Sequence, residues 1–361
     1  MLPCVAMSPE RFHALIRGDA RGVGAALARA GLWWARLPYG AGTWARNRLF
    51  DLGLRKPTRV QVPVVSVGNL TLGGTGKTPC VEYVAGFYRD LGLSVAVLSR
   101  GYGAATGRND EAMVLEENLP DVPHLQGPDR VGLAQTAIEE LESEVLVLDD
   151  GFQHRRLARD LDVVLIDATR PLRYEYLFPR GLLREPVGSL KRAGLVVLTR
   201  ADQAGSDSLD TQRRWLQERF PALPVATAVH APVALVGADD TRDETDLTGK
   251  PVGAFCGIGN PEAFRRTLTD LGADVVAFQP FPDHHPYTRA DVDDLRTWAA
   301  TLPPDAAVAT TQKDLVKLRL PNLSGRPLWA VRVGMRFTDG EDVFRAKLQS
   351  AVEPHIPTKD E

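Results

Sequence analysis

The chain has 361 residues, of which 44% are hydrophobic and 25% are charged, so we expect a folded protein with a large core and exclude a disordered chain. The formal net charge of −3 gives no overall signal for nucleic-acid binding. The three cysteines, Cys4, Cys80 and Cys256, form no C-x-x-C pair and no metal-ligand spacing, which is typical of a reducing compartment. We expect no signal peptide, because no apolar core with a small-residue cleavage site follows a basic start.

The N-terminal segment, residues 8–59, is basic and rich in tryptophan. It holds ten Lys or Arg residues against three acidic ones, and it contains Trp33, Trp34 and Trp44. Its longest apolar stretch, Val23 to Ala35, is interrupted by Arg29 and is too short to span a bilayer, which takes about 20 residues. Interleaved Arg, Trp and Leu therefore favour a helix that lies in the membrane interface. The alternative is a helical arm that packs on the protein's own core and has a solvated basic face.

From Arg59 onward, short apolar runs rich in β-branched residues alternate with stretches of helical pattern. We predict strands at Val62–Val67, Val95–Leu98, Val145–Leu148, Val163–Ile166, Leu195–Leu198, Ala254–Cys256, Val275–Phe278, Ala307–Thr310 and Trp329–Val333. We predict helices between them, for example at Thr78–Leu91, Arg130–Leu141 and Asp210–Phe220. Continuous apolar strands indicate a parallel sheet covered on both faces, so the predicted fold class is α/β, doubly wound and mostly parallel.

The sharpest motif is a glycine-rich turn between a predicted strand and a predicted helix, Gly68-Asn-Leu-Thr-Leu-Gly-Gly-Thr-Gly-Lys-Thr78. Glycines let backbone amides turn inward around phosphates, and the following helix adds the positive end of its dipole. Lys77 is expected to reach the β- and γ-phosphates of a nucleotide, and the Thr78 hydroxyl to bind Mg²⁺. The strict P-loop pattern has Gly at position 71, so this chain carries the G-G-x-G-K-T variant. The predicted nucleotide-binding residues are Thr71, Leu72, Gly73, Gly74, Thr75, Gly76, Lys77 and Thr78.

Two carboxylates, Asp149 and Asp150, end the strand predicted at Val145–Leu148. In P-loop proteins an aspartate at this position holds Mg²⁺ directly or through water. The alternative is an aspartate that only caps a turn. Gln153 and His154 follow closely and are candidates for contacts with phosphates.

Asp110 and the Asp283-His284-His285 turn are further polar candidates. A carboxylate within reach of an acceptor hydroxyl helps to remove its proton, but surface acids are common. The two histidines are compatible with metal ligation, with a pH-sensitive surface turn, or with pairing to a carboxylate. We infer no metal pair, because adjacent side chains seldom point the same way.

Taken together, these segments resemble the tetraacyldisaccharide 4'-kinase family. The matching segments run in the order of the family's motifs and are Gly68–Pro79, Ser99–Gly103, Asn109–Ala112, Asp149–Leu157, Gly181–Pro186, Gly257–Pro261, Phe281–His284 and Thr311–Asp314. The string Asp-Asp-Gly-Phe-Gln-His-Arg-Arg-Leu at Asp149–Leu157 is very specific. The basic, Trp-bearing N-terminus also matches the membrane-associating helix of the family.

The resemblance implies a kinase that uses ATP and Mg²⁺ to phosphorylate the 4'-hydroxyl of a tetraacylated glucosamine disaccharide 1-phosphate, giving lipid IVA. It implies work at the cytoplasmic face of the inner membrane. It places the catalytic pair on Asp110 and His284, with Asp110 accepting the proton, His284 supporting it and Lys77 acting on the phosphates. It places metal binding on Thr78, Asp149 and Asp150. The implied substrate contacts are Arg100, Tyr102, Gln153, His154, Arg184 and Glu185.

The predicted organisation follows from the charge pattern, the motifs and the resemblance. Basic amphipathic helices that associate with the membrane occupy residues 1–58, and a P-loop NTPase-like kinase core occupies 59–230. A polar linker or hairpin at 231–250 precedes a smaller α/β domain at 251–350 and a polar tail at 351–361.

Two other functions remain open from the residues alone. One is a regulatory G-G-x-G-K-T nucleotidase that acts as a conformational switch, for which Thr199–Asp202 is a faint guanine-reading candidate without the usual lysine. The other is a non-catalytic, nucleotide-dependent membrane scaffold. Transfer of labelled phosphate to a lipid product distinguishes the kinase from both.

Overall fold

The computed structural model describes residues 9–101, 110–238, 242–243 and 247–355. Its strands are β1 (Val64–Asn69), β2 (Val95–Ser99), β3 (His124–Gln126), β4 (Val145–Asp149), β5 (Leu161–Asp167), β6 (Leu195–Thr199), β7 (Val225–Val236), β8 (Arg242–Asp243), β9 (Pro251–Cys256), β10 (Asp274–Pro280), β11 (Ala307–Thr311), β12 (Asn322–Leu323) and β13 (Arg326–Asp339). Its α-helices are α1 (Pro9–Arg17), α2 (Val23–Asp51), α3 (Lys77–Asp90), α4 (Asp110–Asn118), α5 (Arg130–Glu139), α6 (Ser206–Arg219), α7 (Pro261–Asp270), α8 (Arg289–Ala300), α9 (Gln312–Leu318) and α10 (Glu341–Val352).

The chain forms two compact units, each assembled from separate stretches of sequence. The first unit consists of Met1–Lys77, Arg130–Val229 and Phe337–Glu361. The second unit consists of Thr78–Asp129 and His230–Arg336.

The first unit is built on a parallel sheet in the order β7-β6-β5-β1-β4. Strands β1, β4, β5 and β6 are buried along their whole length, as expected for a parallel sheet that is covered on both faces. β1 lies between β4 and β5, so the loops that follow β1 and β4 come together at one edge of the sheet. Ligands of open α/β sheets bind at this end of the sheet, outside the carboxyl ends of the strands.

The second unit contains the parallel strands β10-β9-β11-β13, a parallel pair β2-β3, and short antiparallel additions at β8 and β12. Its core includes Phe255, Leu295 and Val308, and helices α4 and α9 pack against each other. The predicted α/β fold with a mostly parallel sheet is therefore confirmed.

Helix α2 is 29 residues long and carries Pro38 inside it. Several of its large apolar side chains are exposed, among them Leu27, Trp34 and Trp44. No helix among the described residues has the length and apolar character needed to cross a membrane.

Candidate functional site

The glycine-rich turn joins β1 to α3 and is fixed by hydrogen bonds from its own unit. Asn69 Nδ2 donates to Thr75 Oγ1 at 2.9 Å, and Thr199 Oγ1 donates to the Thr75 carbonyl at 2.8 Å. Arg200 donates to the Gly74 carbonyl at 2.8 Å. Thr199 and Arg200 thus hold the loop from β6, which gives these two residues of the guanine-reading candidate a structural role in the turn.

The backbone explains which glycines the turn requires. Gly73 and Gly76 have φ values of 103° and 87°, a region that side chains with a Cβ rarely adopt. Thr71 does not lie in that region, and it forms a bridge with Leu183. The Leu72 amide donates to the Leu182 carbonyl at 2.8 Å. The start of the loop is therefore extended and paired, so glycine is not needed at position 71.

The two predicted metal-binding carboxylates lie at the end of β4 in the same unit. Asp149 is the last residue of β4 and is almost completely buried, whereas Asp150 has a φ of 53°. Lys77 Nζ lies 3.9 Å from Asp150 Oδ1. The strand-end carboxylate and the lysine at the start of α3 are thus neighbours, as the motifs predict.

The turn after β4 packs closely against β1 because glycine stands at each point of contact. A Cβ added to Gly68 would lie 2.7 Å from Phe152 Cβ, and one added to Gly151 would lie 2.6 Å from Ser66 Oγ. Neither position has room for a side chain. Part of the specific string after Asp149 is thus explained by packing of this turn against β1.

Arg184 is the nearest basic partner of Asp150. Its Nη1 lies 2.8 and 2.7 Å from the two carboxylate oxygens and 3.3 Å from Gln153 Oε1. Gln153 in turn donates to the Asn69 carbonyl at 2.8 Å. Gln153 and Arg184, two of the predicted substrate contacts, therefore lie beside the loop and its carboxylate, and the His154 amide donates to the Gly151 carbonyl in the same turn.

Glu185, the neighbour of Arg184, has a different position. Its side chain is 0% exposed and contacts Arg46, Asn47 and Arg192. Burial alone would raise the pKa of Glu185, but the two arginines and Ser189 hold it below its usual value. Glu185 therefore anchors helix α2 to this part of the unit, and its carboxylate is not presented at the surface as a substrate contact would be.

The chemistry of the donor set fits Mg²⁺. Asp149 and Asp150 carry carboxylate oxygens and Thr78 carries a hydroxyl oxygen, and oxygen ligands are those that Mg²⁺ prefers. Among the described residues, no group of three or more His, Cys, Asp or Glu side chains could hold a metal alone. Mg²⁺ in phosphate-transfer sites needs only one or two carboxylates together with water and substrate phosphates.

The second unit brings Asp110 and His284 together, although 174 residues separate them in sequence. Asp110 begins α4, and its Oδ2 lies 3.0 Å from His284 Nδ1. The His284 backbone has a φ of 57°, and its amide donates to the Gly257 carbonyl at 3.0 Å. His285 instead packs between the rings of Phe281 and Tyr287. The structure therefore pairs His284, not His285, with Asp110.

The pKa values of both members of the pair are shifted from their usual values. Burial favours the neutral acid of Asp110, but hydrogen bonds from His284 and Lys317 outweigh it and lower the pKa to about 2. The hydrogen bond to Asp110 raises the pKa of His284. Ionised Asp110 is thus stabilised by two cationic or polar neighbours.

Lys317 was missed by sequence reasoning. Its Nζ lies 3.0 Å from Asp110 Oδ2. Lys317 lies three residues after Asp314 on α9, so the two side chains are on the same face of the helix. This i, i+3 pairing of opposite charges was the signal in the sequence that could have identified Lys317. Of the remaining predicted substrate contacts, Arg100 is exposed just after β2, and Tyr102 lies outside the described residues.

Comparisons with known proteins agree over nearly the whole chain. Residues 28–353 match the family described as tetraacyldisaccharide-1-P 4'-kinase. A tetraacyldisaccharide 4'-kinase of Anaeromyxobacter sp. (strain Fw109-5) is 42% identical over 93% of this chain and 95% of the relative. One from Syntrophus aciditrophicus (strain SB) is 38% identical over 82% and 86%. The crystal structure of Aquifex aeolicus LpxK in complex with ATP is similar with a TM-score of 0.72 and 30% identity, covering 90% of this chain and 99% of that one.

Proposed function

The chain belongs to the tetraacyldisaccharide-1-P 4'-kinase family, and from this premise we propose that it transfers the γ-phosphate of ATP to the 4'-hydroxyl of tetraacyldisaccharide 1-phosphate. The product is lipid IVA, a lipid A precursor. The observation that carries the proposal is the loop from Leu70 to Gly76, which ends at Lys77 beside Asp150.

The loop supports nucleotide binding through its backbone and Lys77. Gly73 and Gly76 give the chain the conformation needed to turn around phosphates, and α3 presents its N-terminus there. Lys77 stabilises negative charge on the β- and γ-phosphates. Mg²⁺, when bound with the phosphates near Asp149 and Asp150, supplies further charge neutralisation.

Asp110 and His284 act on the acceptor in this proposal. Asp110 is held ionised beside His284, so it accepts the hydrogen bond of the attacking hydroxyl and orients it. His284 supports this carboxylate from Nδ1. Phosphoryl transfer depends on positioning and charge stabilisation more than on a strong base, which suits a carboxylate with so low a pKa.

The N-terminal segment supports a location at a membrane surface. Trp34 and Trp44 are 66% and 64% exposed on α2, in a segment with an excess of Arg. Such helices bind the interface of anionic membranes through aromatic side chains and basic charge. We therefore propose that this segment holds the enzyme at the cytoplasmic face of the inner membrane, where its acylated substrate resides.

The direct test uses radiolabelled ATP, Mg²⁺ and the acylated disaccharide 1-phosphate. We expect label to appear in a lipid product only when the lipid acceptor is present. Label released solely as inorganic phosphate, independent of lipid, would indicate a regulatory nucleotidase. Nucleotide binding without any turnover would indicate a scaffold. Within the part of the chain that the structure describes, no feature favours either of these alternatives over the kinase.

A further inference from the structure

Lys317 contacts Asp110 and the loop that carries His284. From α9, its Nζ lies 3.0 Å from Asp110 Oδ2 and donates to the backbone carbonyl of His285 at 3.2 Å. One lysine therefore fastens the carboxylate at the start of α4 and the loop that carries His284.

A buried carboxylate positions Lys317 in turn. Lys317 Nζ lies 3.6 Å from Asp314 Oδ1, and the Asp314 side chain is 0% exposed. Asp314 also accepts hydrogen bonds from the Gly257 amide at 3.0 Å and the Thr311 hydroxyl at 2.6 Å. Because the Gly257 carbonyl accepts from the His284 amide, Asp314 supports both Lys317 and the backbone of His284.

Burial distinguishes Lys317 from a nearby lysine on the same helix. The Lys317 side chain is 11% exposed, whereas Lys313 is 34% exposed and pairs with Glu111 on α4. Both lysines bridge α9 to α4, but only Lys317 reaches Asp110. An exposed ion pair contributes little to stability. A charge-assisted hydrogen bond between largely buried groups is stronger and fixes the relative positions of the two side chains.

Building on the proposed function, we propose that Lys317 is a positioning residue for phosphoryl transfer, which acts by fixing the ionised carboxylate of Asp110 beside His284. Asp110 Oδ2 receives both His284 Nδ1 and Lys317 Nζ, so the two donors together define the orientation of the carboxylate. The low pKa of Asp110, to which the hydrogen bond from Lys317 contributes, is consistent with this role.

The test compares Lys317→Met and Lys317→Arg with wild type in the lipid-labelling assay. We expect Lys317→Met to lower kcat by about 10²-fold, the size of a positioning loss, with little change in KM for ATP or lipid. Lys317→Arg retains charge and donors and should recover most of the loss. Lys313→Met, which breaks the parallel bridge between the same helices, should change kcat by no more than about twofold. Lys317→Gln replaces the Met variant if thermal melting shows the latter to be unfolded.

A double-mutant cycle with Asp110→Ala decides whether Lys317 acts through Asp110. If it does, adding Lys317→Met to Asp110→Ala causes no further loss of kcat. Losses that multiply in the double variant, or equal losses in Lys313→Met and Lys317→Met, would overturn the inference while leaving the kinase assignment intact. Absence of lipid label from the wild type would instead overturn the proposed function, and the inference with it.

Discussion

Lys77 and Asp150 face each other across 3.9 Å in the first unit, one at the start of α3 and the other just after β4. Asp150 is also held by Arg184. An ammonium, a guanidinium and a carboxylate thus lie next to the glycine-rich turn. In the proposed function this arrangement places positive charge near the nucleotide phosphates and a carboxylate near their metal ion, which makes Lys77 the first residue to test.

Replacing Lys77 with alanine should lower kcat/KM for lipid phosphorylation by about 10²–10⁴-fold, because one electrostatic stabiliser of the transferred phosphate is lost. The measurement is the rate of label transfer from ATP to lipid. Lys250→Ala, which alters an exposed lysine of the second unit, serves as the matched control and should behave as wild type. Near-normal activity in Lys77→Ala would remove the phosphate-loop assignment.

Replacing Asp110 with alanine should reduce turnover by about 10²–10⁴-fold, as expected for loss of a group that assists proton transfer. ATP affinity, measured by calorimetry, should change little because Asp110 is assigned to the acceptor. His284→Ala should follow the same pattern with a smaller loss. A collapse of ATP affinity with turnover preserved would identify Asp110 as part of the nucleotide or metal site.

Replacing Glu185 with alanine should lower the free energy of unfolding by about 1–3 kcal/mol, because Arg46 and Arg192 would lose a fully buried partner but remain partly in contact with water. Urea denaturation measures the change, with Glu218→Ala on the exposed side of α6 as the control. A change as small as that of the control would show that the buried network adds no stability.

We also expect the contribution of Glu185 to the free energy of unfolding to depend on pH. The pKa of Glu185 is lower in the folded protein than its usual value. Its stabilising contribution is therefore complete above the unfolded-state pKa and is lost as the pH falls through the folded-state pKa. Wild type should lose stability relative to Glu185→Ala when both are unfolded at successively lower pH. A constant difference across that acidic range would contradict the assignment.

Replacing both Trp34 and Trp44 with serine should weaken binding to vesicles that contain anionic lipid by about tenfold or more, because each exposed ring contributes to insertion in the interface. Vesicle co-sedimentation measures the effect. Val233→Ser removes an exposed apolar side chain from β7 and provides the control. Equal binding of all three proteins would favour the alternative of a helical arm packed on the protein itself.

The sequence predicted the elements with strong local patterns. Each predicted strand overlaps a strand of the structure, because continuous apolar runs such as Val145–Leu148 and Val163–Ile166 are typical of fully buried parallel strands. The missed strands have weaker signals. β3, β8 and β12 are only two or three residues long, and the second half of β7 is interrupted by three consecutive positions that are not buried. Short pairings of this kind depend on neighbours distant in sequence.

The sequence alone predicted the glycine-rich turn that ends at Lys77 and, separately, the two acids at the end of β4, because each of these motifs is a short run of residues directly after an apolar strand. It left the partners of Asp110 and His284 open until the family resemblance supplied the pair. Only the tertiary structure placed Lys317 on that pair and buried Glu185 between two arginines. These contacts join residues far apart in the chain, and packing of helices and strands, rather than any local pattern, decides which side chains meet.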